Sequence, residues 1–172
     1  MRVLLLGLMG SGKTTVGRVV AGSLGVPYLD NDALLAEREG RTTAELAAAG
    51  GDELHVAESR LVRDLLARTD AFVAGVPASV ADRPDDVPLV AASDAFVVYL
   101  HVPPVVLVAR VESDAAQADP ASRRPWLDDD PVAFVTATYA RRDPVLRGAA
   151  DVVVDGTRTP AEVAAQIEEG AR

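Results

Sequence analysis

Residues 7 to 14 read Gly-Leu-Met-Gly-Ser-Gly-Lys-Thr. The types and spacing match G-x-x-x-x-G-K-[ST], a loop that cradles phosphates. Glycines at 7, 10 and 12 allow backbone angles closed to other residues, so successive N–H groups can converge on one anion. Lys13 supplies a full positive charge for the β- and γ-phosphates, and the Thr14 hydroxyl suits a Mg²⁺ ligand. Gly10, Ser11, Gly12, Lys13, Thr14 and Thr15 are therefore the candidate residues for binding ATP. The competing reading is an ordinary glycine-rich turn.

Its context favours the phosphate loop. Val3-Leu4-Leu5-Leu6 is a short apolar run that ends at a glycine, as a buried strand does, and apolar residues then recur at helical spacing from Val16 to Leu24. A helix beginning at the loop adds the positive end of its dipole to the anion site.

Beyond the loop, strands are expected at 2–7, 27–30, 71–75, 96–101 and 151–154. Helices are expected at 13–24, 31–38, 43–49, 52–68, 86–92, 104–111, 130–142 and 160–170. The alternation predicts an α/β fold, a three-layer sandwich with a five-stranded parallel sheet flanked by helices. Ligands of such a sheet bind beyond the carboxyl ends of its strands. Residues 1–172 form one expected domain. Val76 to Pro84 reads as an irregular connection. The polar segment from Ser113 to Pro131 holds Arg123 and Arg124 and is too long for an ordinary connection. Its functional reading is a lid over about 113–127 that brings arginine to the transferring phosphate; its plain reading is a disordered surface loop.

Composition narrows the function. The net charge is −9, which opposes a general nucleic-acid partner, and there are no cysteines and only two histidines, His55 and His101. Thiolate and histidine-based metal sites are thereby excluded. The opening apolar run breaks at Gly7, too short for a membrane span or a signal segment. The expectation is a cytoplasmic monomer acting on a small molecule.

The order of motifs resembles the shikimate kinase family, a branch of the nucleoside monophosphate kinase-like P-loop fold. The resemblance is carried by residues 7–17, by Tyr28-Leu29-Asp30-Asn31-Asp32, by Gly40-Arg41-Thr42 with Glu45-Leu46, and by Arg124-Pro125-Trp126-Leu127. Arg141-Arg142-Asp143-Pro144-Val145-Leu146, Asp151 to Asp155 and Arg158 to Val163 extend it over essentially the whole chain. It implies an ATP-dependent kinase acting on a small hydroxyl acceptor, shikimate or another polyol or hydroxy acid. Asp30 would hold Mg²⁺ through water, with Thr14 its other ligand. Asp32 would accept a hydrogen bond from the acceptor hydroxyl and serve as its base. Arg124 of the lid would contact phosphate oxygens, and Lys13, Asp32 and Arg124 would form the catalytic set. Arg110 and Arg158, with Pro160, would border the adenine. Gly75 would lie against the acceptor, and Arg142 would face its carboxylate. Away from such a site, Asp30 and Asp32 would be helix caps and the arginines solvated charges.

Two departures fall on the acceptor side. The family carries a run of three glycines after strand three; here Gly75-Val76-Pro77 stands there. Val76 is expected to add bulk against the acceptor, and Pro77 removes an N–H. In place of the family's F-R-x-x-E, this chain reads Leu54-His55-Val56-Ala57-Glu58. Histidine lacks the permanent, two-pronged charge that suits a carboxylate. Nearby Arg60 and Arg63 leave a helix at 52–68 in other directions. A nucleotide-binding module without turnover is the alternative.

Overall fold

The structure, a computed structural model, describes residues 1–50, 52–117 and 130–171. Five strands form one sheet: β1 (Arg2–Leu6), β2 (Tyr28–Leu29), β3 (Phe72–Gly75), β4 (Phe96–His101) and β5 (Val152–Asp155). Their order is β2-β3-β1-β4-β5, and every pairing is parallel. The helices are α1 (Lys13–Leu24), α2 (Asn31–Glu39), α3 (Thr43–Ala48), α4 (Glu53–Ala67), α5 (Val87–Ala91), α6 (Pro104–Gln117), α7 (Pro131–Ala149) and α8 (Pro160–Gly170).

Side chains alternate across a strand, so each strand feeds both faces. Val3 and Leu5 of β1 join Val98 and Leu100 of β4 under α1 and α8, with Val16, Val20, Val163 and Ile167 closing that core. Leu4 and Leu6 point the other way with Val97 and Tyr99, under Leu61, Leu65, Leu107 and Leu146 from α4, α6 and α7. Both faces are covered, which is why these strands read as continuous apolar runs.

Three expectations change. The helix expected at 104–111 runs on to Gln117, so residues 113–117 belong to α6 and not to an irregular segment. That stretch has neither Gly nor Pro and contains helix-favouring Ala and Gln, so the helix outlasts its apolar periodicity. The helix expected at 130–142 continues to Ala149 through Pro144. Proline removes one N–H, but buried Leu146 and Ala149 carry the helix beyond it. The connection after β3 holds a single 3-10 turn, Ala78–Asp82. The rest of the segment expected to be a lid, Arg123 and Arg124 included, lies outside the described residues.

Candidate active site

The phosphate loop joins β1 to α1 as the sequence requires. Gly10 and Gly12 have φ of 78° and 91°, angles in which side-chain-bearing residues are strained. A Cβ on Gly7 would come within 2.3 Å of the Ser11 hydroxyl, so any larger residue there would force Ser11 to move. Gly12 opens α1, and no side chain caps that first turn; α4 and α5 also start without a side-chain cap, while Asp30, Thr42 and Thr159 cap α2, α3 and α8. An uncapped helix start behind a glycine loop fits an oxyanion ligand. The Lys13 ammonium donates to the Gly7 carbonyl at 2.8 Å, folded across the loop. Thr15 is exposed in the same first turn.

Beside the loop, Thr14 Oγ1 donates to Asp30 Oδ2 at 2.9 Å. The other Asp30 oxygen accepts the N–H groups of Asp32 and Ala33, so Asp30 is the α2 cap as well. The donor set fits Mg²⁺, which takes one or two protein oxygens and completes its shell with phosphate and water. Among the described residues no group of three or more His, Cys, Asp or Glu could cage a metal. Asp32 lies in the first turn of α2, where Asn31 Nδ2 and Thr43 Oγ1 donate to its Oδ1 at 2.9 and 3.2 Å. Sequence reasoning missed these two positioning donors. Asn31 lies inside the quoted motif, but nothing local brings Thr43 from the next helix.

Tyr28 explains two glycines. A Cβ on Gly17 would meet the Tyr28 ring at 2.2 Å, and one on Gly75 would lie 3.0 Å from both the Tyr28 Oη and Asn31 Oδ1. Gly75 thus lets β3 end against the residues that carry Asp32. Burial pushes the Tyr28 phenol up to about 12, so it stays neutral at physiological pH.

On the nucleotide side, Arg110 of α6 reaches two backbone carbonyls, Gly10 at 3.1 Å and Gly156 at 3.0 Å. It ties the phosphate loop to the loop after β5. Arg158 stands exposed on that second loop, 3.7 Å from Asp155, and Pro160, the first residue of α8, is exposed as well.

The acceptor side differs from expectation. Val76 is 1% exposed and packs in the core, so it presents no bulk to a ligand. Its backbone N–H donates to the Leu5 carbonyl, which continues the β1–β3 ladder and turns the side chain inward. Val76→Gly should therefore cost about 2–4 kcal/mol of stability through the lost methyls and the added backbone freedom. Urea unfolding checks this; an unchanged midpoint would place Val76 outside the core.

His55 Nδ1 lies 3.1 Å from Glu58 Oε2, the oxygen that also accepts from Ser79. The hydrogen bond to Glu58 raises the His55 pKa above its ordinary value against the opposing effect of burial. Arg63 is held by buried Asp86, and Arg60 is exposed.

Arg142 donates through Nε and Nη2 to Asp82 Oδ2 at 2.9 and 2.6 Å, and Arg141 grips the same carboxylate from α7. Asp82 is a further residue missed from sequence, because it falls in a stretch without periodicity. Burial alone would raise its carboxyl, but the hydrogen bonds from both arginines reverse this and hold it at about 2. A depressed carboxyl pKa stabilises the fold above the unfolded value of about 3.9. That contribution is lost as pH falls from there through about 2. Urea midpoints measured from about pH 5 down to about pH 2 should thus decline less steeply in Asp82→Asn than in the unmodified chain; parallel declines would overturn the assignment. Below Arg142, the fully buried Tyr99 donates to Asp143 at 2.8 Å and pins α7 to β4.

The parallel order β2-β3-β1-β4-β5 with a phosphate loop after β1 defines a P-loop α/β kinase fold. The shikimate kinase family model matches residues 9–171. The shikimate kinase of Halorhodospira halophila is 35% identical over 91% of this chain and 84% of its own length. That of Symbiobacterium thermophilum is 34% identical over 98% of this chain and 95% of its own. The solved structure of shikimate kinase from Acinetobacter baumannii in complex with shikimate is 25% identical, with a TM-score of 0.84 over 98% of this chain and 90% of that one. The chain belongs to the shikimate kinase family. No described helix is long and apolar enough to cross a membrane.

Proposed function

We propose that this protein transfers the γ-phosphoryl group of ATP to a hydroxyl of shikimate, the acceptor named for its relatives. The observation that carries the reading is the Thr14–Asp30 hydrogen bond of 2.9 Å beside an uncapped α1 start, with Asp32 in the first turn of the helix that Asp30 caps. It brings phosphate, cation and hydroxyl positions to one end of the sheet, which a nucleotide-binding module without turnover does not require.

In this reading the loop N–H groups of residues 10–15 bind the phosphates, and Lys13 leaves the Gly7 carbonyl for the β- and γ-oxygens. Thr14 and Asp30 would hold Mg²⁺, which would supply positive charge to offset that of the phosphates. Asp32 orients the acceptor hydroxyl and takes its proton as the new O–P bond forms and the bond to the β-phosphate breaks. Asn31 and Thr43 keep that carboxylate in one plane. Arg110, Arg158 and Pro160 border the adenine. Gly75, His55 and Arg142 border the acceptor, and Arg124, from outside the described residues, adds charge at the phosphate. The chain is read as one domain and a monomer. The need for ATP assigns it to the cytoplasm, and a net charge of −9 opposes nucleic acid as partner.

An ADP-release assay with shikimate and a panel of uncharged polyols, with and without Mg²⁺, tests this. Mg²⁺-dependent turnover of shikimate is expected. Nucleotide binding with no turnover of any acceptor would leave the module without activity as the better account.

A further inference from the structure

Among the described residues, several cations around the proposed acceptor side are matched by acids of the chain itself. Arg83 pairs with Asp52, Arg63 with Asp86, and His55 with Glu58. Arg142 is the least exposed of these cations, at 15%, and its Nε/Nη2 edge is the edge that grips carboxylates. That edge already holds one, Asp82, from the 3-10 turn that follows β3. With the second hold from Arg141, both Asp82 oxygens are engaged.

We propose that Asp82 is a specificity residue of the acceptor site: its carboxylate stands at Arg142 in place of an acceptor's, so an acidic acceptor must displace it and an uncharged polyol need not. The inference rests on reading Arg142 as an acceptor residue of the kinase. An incoming carboxylate meets two costs here. It must break charge-assisted hydrogen bonds, and it is repelled by the anion it displaces. An uncharged acceptor meets neither. The acceptor range is therefore set by a residue that need not touch the acceptor.

Two roles for Asp82 predict opposite signs. If it only holds Arg142 in place, its loss weakens binding of an acid. If it competes, its loss strengthens that binding. The test is steady-state kinetics of the full chain with shikimate and with its uncharged methyl ester. The proteins are the unmodified chain, Asp82→Asn, Arg142→Ala and the double variant, with Asp82→Ser in reserve should the first fail to fold. The KM for shikimate should fall roughly tenfold in Asp82→Asn, the lower end of what one hydrogen bond to a charged group is worth. The KM values for the ester and for ATP should stay within about twofold, and the effect should vanish when Arg142 is alanine, as coupling through one partner requires. A rise in the KM for shikimate, or an equal fall for acid and ester, would overturn the proposal. If the unmodified chain turns over neither acceptor, the kinase reading fails separately. The same proteins are then titrated with shikimate by calorimetry: tighter binding in Asp82→Asn that depends on Arg142 supports the role of Asp82, and unchanged or undetectable binding in all of them overturns it.

Discussion

Lys13→Met is expected to lower phosphoryl transfer by roughly two to three orders of magnitude, the usual loss when one preorganised transition-state donor is removed. Methionine keeps most of the length and volume of lysine, so the change is chiefly one of charge. In the structure the ammonium rests on the Gly7 carbonyl at 2.8 Å, inside the loop it serves. Lys13 is not among the buried core side chains, and the fold should survive. The discriminating result is a large fall in kcat with a thermal midpoint within a few degrees of the unmodified protein. Full activity in Lys13→Met would remove the phosphate loop from the mechanism.

Asp32→Asn is expected to lower kcat by about a hundredfold, the low end for a positioned general base. The low end is chosen because phosphoryl transfer passes through a loose transition state that asks little of its base. Asparagine keeps the shape, and its amide oxygen can still accept from Asn31 and Thr43. What it cannot do is take a proton. The KM for ATP should therefore hold within about twofold while kcat falls. Asn31→Ala should show a smaller loss in the same direction, because it removes one of two donors that orient the carboxylate. If Asp32→Asn retains more than about a third of kcat, Asp32 is a helix residue and the base lies elsewhere.

The chemistry that was readable from sequence is local. Gly7 to Thr14 are consecutive, and their backbone angles are dictated by residue type. Asp30 follows a strand of two residues and caps the helix after it, so its place beside Thr14 needs only the strand–helix alternation. Each β-strand was recognisable because both faces of the sheet are covered, leaving uninterrupted apolar runs in β1, β3 and β4. Helix ends were harder to read. Pro144 reads as a stop, yet Leu146 and Ala149 are buried and draw α7 onward; local preference of a few kcal/mol yields to burial of comparable size.

The acceptor side depended on contacts distant in sequence. Asp82 meets Arg142 across 60 residues, Ser79 meets Glu58 across 21, and Asp86 meets Arg63 across 23. No periodicity or motif marks such pairs, because they form only when α4, the turn after β3 and α7 are packed together. Val76 makes the same point. From sequence it looks like bulk added to a ligand site, but the β1–β3 ladder turns its side chain into the core. The residue types along the chain were enough to assign the phosphate chemistry, since a phosphate is held by backbone geometry that short segments adopt for themselves. Which charges remain available to an acceptor is a property of the packed fold, because each arginine is quenched or spared by whichever carboxylate the tertiary structure sets against it.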